Sequence, residues 1–126
     1  MNRGLVLSAI CLAAACDTGP ESPFNPVITN RADYFELQAA ALPDVTTIVE
    51  YVWTNTGQLA SVTQTSTVTG GTATLDLLDG AGDVVYSRSL SETGTFLTLQ
   101  GTAGPWVIRL ALTGVSGSLS FRAEKA

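Results

Sequence analysis

The chain has 126 residues, with six lysines and arginines against eleven aspartates and glutamates, for a formal charge of −5. A surface of that sign repels phosphate backbones, so nucleic acid is not an expected partner. Histidine is absent, which removes the commonest general base and the commonest zinc ligand, and with them Ser-His-Asp and Cys-His catalysis.

The first three residues, ending in Arg3, make a short basic start, and residues 5–15 form an apolar run too short to span a bilayer. This pattern predicts a signal peptide over residues 1–15. It closes on Leu12-Ala13-Ala14-Ala15-Cys16. Small residues ahead of a cysteine at that place resemble the lipobox of bacterial lipoproteins. The resemblance implies lipidation of Cys16 on sulfur, cleavage just before it, and a mature chain anchored on the extracytoplasmic side of a membrane, in the periplasm or at the cell surface. Each buried methylene of such an anchor contributes about 0.8 kcal/mol, so two or three acyl chains hold almost permanently. Cys11 follows the bulky Ile10 and leaves with the signal. With Cys16 lipidated, no thiol remains for a disulfide or a nucleophile. Loss of Arg3 leaves five basic against eleven acidic side chains.

Residues 16–31 contain Gly19, Pro20, Pro23 and Pro26 with little apolar periodicity, the signature of an extended tether. Fully stretched, residues 17–30 reach on the order of 45 Å, enough to lift a domain clear of lipid head groups.

From residue 32 to 126, short apolar and threonine-rich runs alternate with turn residues, which predicts an all-β chain folded as a single antiparallel β-sandwich of about eight strands. Residues 34–42 alternate as a strand through Phe35, Leu37, Ala39 and Ala41. Residues 46–55 are β-branched and aromatic, and Asn55-Thr56-Gly57-Gln58 reads as a turn. The polar run 59–69 suits a half-exposed or edge strand, open to pairing with a partner. Gly70-Gly71 is read as its end. Residues 72–78 put Ala73, Leu75 and Leu77 on one face. Asp79-Gly80-Ala81-Gly82-Asp83 reads as a hairpin loop into 84–88, and 95–100, 106–113 and 118–123 complete the set. In the last two, Trp106, Ile108, Leu110 and Leu112 share a face, and the pattern resumes with Leu119 and Phe121. This predicts a core hairpin with a polar outer face. The glycine-bounded run from Gly104-Pro105-Trp106 through Ser120-Phe121-Arg122 loosely resembles the closing hairpin of bacterial pre-peptidase C-terminal β-sandwich domains, which are accessory modules without catalytic residues of their own.

Candidate sites divide into three groups. Asp76, Asp79 and Asp83 surround a glycine turn and carry oxygens that suit calcium, although aspartate and glycine also stabilise hairpin loops through side-chain to backbone bonds. Tyr51 and Trp53 lie two apart and face the same way, with Val49 beside them; exposed, they would stack on sugar rings, and buried, they belong to the core. Glu50, between Ile48 and Val52, marks the opposite face as the wetter one. Arg109 and Arg122 are read as outward residues of neighbouring strands, suited to pairing with carboxylates or to a small anion patch. The single lysine, Lys125, sits beside the C-terminus, where fraying would spoil general-base work. No catalytic constellation or cofactor motif stands out, so enzymatic activity and a bound cofactor are not expected. The expectation is a lipid-anchored binding or envelope structural module that contacts another protein, with a carbohydrate-binding lipoprotein as the alternative and a metal-dependent or carboxylate enzyme as the remote one.

Overall fold

The computed structural model describes residues 24–126. Cys16, its lipobox and the first part of the tether lie outside the described residues. The chain is all-β: β1 (Val27–Arg31), β2 (Tyr34–Asn55), β3 (Ala60–Gln64), β4 (Thr67–Leu78), β5 (Val84–Ser89), β6 (Gly94–Leu97) and β7 (Gly104–Lys125) form one antiparallel sheet. No helix among the described residues is long and apolar enough to cross a membrane.

Long strands organise this sheet. β7 runs down the middle and pairs with β2 over nearly its whole length, from Tyr34↔Glu124 to Asn55↔Gly104. On its other side β3 and β4 follow one another almost as one strand, β3 against residues 121–125 and β4 against residues 107–118. All three tracks lose register near their middles: β2 between Ala39 and Thr47, β4 between Val68 and Thr72, and β7 opposite them. There the sheet folds back on itself. Bulges add local twist and bend a strand without ending it.

Glycine permits the bend. Gly71 and Gly117 have φ of 75° and 114°, and a Cβ on either would overlap main-chain oxygens, those of Gly114 and Thr113 for Gly71 and that of Thr67 for Gly117. Only a residue without a side chain fits such a conformation and such a close approach. Folding produces two leaves. The first contains β1, residues 34–39 of β2, residues 119–125 of β7, β3 and β6; the second contains residues 47–55 of β2, residues 104–112 of β7, β4 and β5.

Between the leaves lies the core. Phe35, Leu37, Val62, Leu119 and Phe121 come from the first leaf, and Trp53, Leu75, Leu77, Trp106, Ile108 and Leu110 from the second, all essentially inaccessible. The predicted inward sets of 72–78, 106–113 and 118–123 are thus the observed ones. Phe35 stacks on Phe121 at 5.9 Å and meets Tyr51 of the other leaf at 5.5 Å, while Trp53 and Trp106 pack edge to face at 5.9 Å.

Several expected boundaries differ. Residues 106–113 and 118–123 are not two arms of a hairpin but one bent strand, because Gly114 and Gly117 redirect the backbone instead of reversing it. Gly70-Gly71 bulges inside β4, and the break falls at Thr65-Ser66. Within the polar run 59–69, residues 61–64 are no edge, since β6 and β7 flank them, whereas residues 67–69 have only β7 beside them among the described residues. Val27–Arg31, expected as tether, pairs with β2 as β1. Lys125 is not frayed: its amide donates to Asp33 O at 3.1 Å.

Candidate functional site

Folding one sheet into two leaves gives the domain two outer faces, built from the residues that alternate with the core. On the first leaf the cross-strand rows are polar. One row reads Arg31, Tyr34, Glu124, Ser61 and Leu97, and the next Thr29, Glu36, Arg122, Thr63 and Thr95. Arg31 lies over the Tyr34 ring at 4.5 Å, the Tyr34 hydroxyl donates to Glu36 at 3.0 Å, and Thr63 and Thr95 share a hydrogen bond of 3.1 Å.

The second leaf differs. Its rows are Ile48, Ala111, Thr74 and Ser89; then Glu50, Arg109, Asp76 and Ser87; then Val52, Val107, Leu78 and Val84. The last row is aliphatic across four strands. It continues at the sheet margin into a groove of about 320 Å³ lined by Val84, Arg88, Leu97 and Leu99. Ile48, Val52, Val84, Leu97 and Leu99 are exposed by 69%, 65%, 52%, 65% and 70%. Single exposed aliphatics are ordinary; here Val52 and Val84 stand at the two ends of one aliphatic row, and Ile48 lies on the far side of the Glu50 row. The outer face expected to be polar for residues 106–113 is half aliphatic, because Val107 and Ala111 point outward with Arg109 and Thr113.

A charged row lies beside the aliphatic one. Arg109 Nε donates to Glu50 Oε2 at 2.8 Å. Asp76 stands on the other side of Arg109, and its Oδ1 is buried with no hydrogen-bond partner. Arg109 pairs with Glu50 and not with Asp76, so the row holds two acidic side chains and one basic one.

The three aspartates do not converge on a metal. Asp79 is buried, and its Oδ1 accepts from the amides of Ala81 at 3.0 Å and Asp83 at 2.9 Å while Oδ2 accepts from Thr102 at 2.8 Å. Hydrogen bonds from the Asp83 and Thr102 amides hold its carboxyl below the ordinary range. Asp79 is a turn staple that ties the β4–β5 loop to the segment before β7. Asp76 lies out on the sheet face, Asp83 is exposed in the loop, and no group of three ligating side chains among the described residues suits a metal ion.

Trp53 is wholly buried, and its Nε1 donates to Arg31 O at 3.1 Å, so the indole offers no face to a sugar ring. Tyr51 is half-buried against Phe35, and burial raises its hydroxyl pKa. Arg109 and Arg122 sit on the same strand but on different leaves, so they form no joint anion patch; each has a carboxylate within reach, Arg122 facing Glu124 at 3.6 Å. Lys125 Nζ donates to Thr56 Oγ1 at 3.2 Å and lies 3.8 Å from Asp33, whose carboxylate accepts from the Thr56 amide and hydroxyl. The Thr56 amide bond leads the effects that lower the Asp33 pKa. This cluster clasps the ends of β2 and β7 where the leaves meet.

A second clasp was not foreseen from the sequence. Gln64 is buried between the leaves, donating to Ser89 O at 3.0 Å and Glu92 O at 2.9 Å, and accepting from the Tyr86 hydroxyl at 2.6 Å. Burial pushes Tyr86 up to about 12. The sequence signal was faint: a glutamine within a polar run, with a tyrosine three places beyond the hairpin loop.

No protein-family profile and no curated protein sequence matches the chain. Among solved structures, the crystal structure of accessory secretory protein 1, 2 and 3 in Streptococcus pneumoniae contains a chain similar at TM-score 0.39 and 14% identity, over 80% of this chain and 85% of that one. A chain of the infectious bursal disease virus Gt strain is similar at TM-score 0.29 and 12% identity, over 79% of this chain and 30% of that one.

Proposed function

We propose that the protein is a lipid-anchored, extracytoplasmic, non-enzymatic module that holds another protein against the outer face of its second leaf. The observation that carries this reading is the aliphatic row Val52, Val107, Leu78 and Val84, which meets Leu99 and the first leaf's Leu97 in the groove at the margin. A surface partner covering these side chains removes apolar area from water at roughly 25 cal/mol per Å². The first leaf exposes Val27 and Leu97, but each stands in a row of polar neighbours and no aliphatic row crosses its strands. Support for the anchor comes from the apolar run ending at Cys16, and the acidic balance of the chain favours a partner with basic residues.

Two measurements test the two parts separately. Cys16→Ser is expected to shift the chain from the membrane fraction to the soluble fraction with the near-ultraviolet signal of the packed Trp53–Trp106 pair unchanged. A photo-reactive residue at Val107 is expected to join the chain to a second protein in intact bacteria. Adducts with lipid alone, or none, would falsify the protein-binding reading.

A further inference from the structure

We infer that the free edge of β2 between Ile48 and Val52 is an attachment site for an extended strand of another protein, one carrying lysine or arginine opposite Glu50 between two aliphatic side chains. This rests on the protein-binding reading above and gives it a geometry.

Residues 47–55 of β2 pair with β7 in unbroken register, and among the described residues no strand lies on their other side. The carbonyls of Val52 and Thr54 point to that open side, where they accept from Asn30 Nδ2 at 2.9 Å and from the Asp33 amide at 2.9 Å. Main-chain groups alternate along a strand, so the amides and carbonyls of Ile48 and Glu50 and the amide of Val52 point the same way. Among the described residues none of them has a hydrogen-bond partner.

Other margins are occupied, irregular or no longer: residues 67–72 of β4 have only β7 beside them among the described residues, but they lose register at Gly70 and Gly71. On β5 the Val85 carbonyl accepts from the Leu99 amide, and the Ser89 carbonyl accepts from Gln64 and from the Glu92 amide, which leaves only Ser87 between them. β1 and β6 have five and four residues. An unprotected, β-branched edge is a template for strand addition, in which main-chain bonds supply affinity and alternate side chains supply selectivity.

The outward side chains define what would fit. Ile48 and Val52 flank Glu50 at the margin, where an added strand places its own side chains directly opposite. The row Glu50, Arg109, Asp76 alternates in sign but ends negative, and a cation on the added strand continues that alternation past Glu50. A second copy fits poorly: the antiparallel register that sets Ile48 against Val52 of another copy also sets Glu50 against Glu50. Residues 1–23 fit no better, since they carry Arg3 alone as a cation beside Asp17 and Glu21.

The probe is a short synthetic peptide with valine, lysine and valine at alternate positions and threonine between them; its twin has glutamate for lysine. Amide hydrogen exchange is followed in the full chain. The Ile48 and Glu50 amides should exchange quickly in the free chain and slow at least about tenfold with the lysine peptide, as edge groups become paired. The glutamate twin should leave them fast, and Glu50→Lys should reverse the preference, with the Trp53–Trp106 signal confirming that the variant is folded. Strand addition is overturned if the lysine peptide fails to slow these amides or if both peptides slow them equally. It is also overturned if they are protected without peptide, either in dilute chain, which would assign the edge to the chain's own leader, or only as chain concentration rises, which would assign it to a second copy. A Val107 adduct to protein with the edge amides unprotected leaves the binding reading standing and removes strand addition alone.

Discussion

The two outer faces of this domain come from the same strands and yet differ in chemistry. On the first leaf, β2 and β7 present Glu36, Arg122 and Glu124 to solvent; on the second, the same two strands present Ile48, Val52 and Val107 beside a single ion pair. Both faces cover the same core, so stability alone does not require one of them to be aliphatic. The inward set follows from folding, whereas nothing in the core dictates the outward set, and it is this outward set that the proposed function assigns to a partner.

The largest expected effect is on the core common to both faces. Trp106→Ala removes an indole packed edge to face on Trp53 and breaks its bond to Thr102 O. It should cost about 3–5 kcal/mol. Urea unfolding should still show one transition, since the leaves are one sheet; separate transitions for probes on the two leaves would break the comparison at its root.

Next comes the bend that creates two faces. Gly117→Ala forces a side chain into positive φ against the Thr67 carbonyl. The backbone conformation alone should cost roughly 1–3 kcal/mol, with the overlap adding to it, read as a lower urea midpoint. The same change at Gly82, which has positive φ but open space around its Cβ position, should cost less.

Smaller again is the pH response of the Asp79 staple. Its folded-state pKa is lowered, so its contribution is fully present above the ordinary carboxylate range and is lost as pH falls through the lower folded value. Asp79→Asn should lower the melting midpoint at neutral pH, and the gap to the unmodified chain should narrow as the medium is acidified through that range. A constant gap would mean that the carboxylate charge plays no part.

Substitutions on the faces themselves should affect stability least. Val52→Ser and Val84→Ser on the second leaf, and Thr63→Ala on the first, should each stay within about 0.5 kcal/mol of the parent. Their effects on crosslinking should diverge, with loss for the valine changes and none for Thr63→Ala.

Much of this architecture was legible in the sequence, for a physical reason. Strand periodicity has only two phases, so runs such as Trp106, Ile108, Leu110 and Leu112 identify the buried side before any partner strand is known. What periodicity does not encode is whether a glycine ends a strand or bends it. Gly114 and Gly117 look like a turn locally, and their role as a bulge depends on β2 and β4 bulging at the same level. The proposed binding face was half legible: Glu50 identified the wetter side of β2, but the aliphatic row arises only when register aligns Val52, Val107, Leu78 and Val84, which are far apart in the chain. Gln64 was hidden for a similar reason, since its partners come from the other leaf.

The unequal faces are tested most directly by placing the same photo-reactive residue at Val107 and, separately, at Thr63, and comparing protein adducts in intact bacteria. Protein adducts several times more abundant from Val107 are the expected result. Equal yields from the two positions, or an excess from Thr63, would contradict the assignment of the second leaf as the binding face.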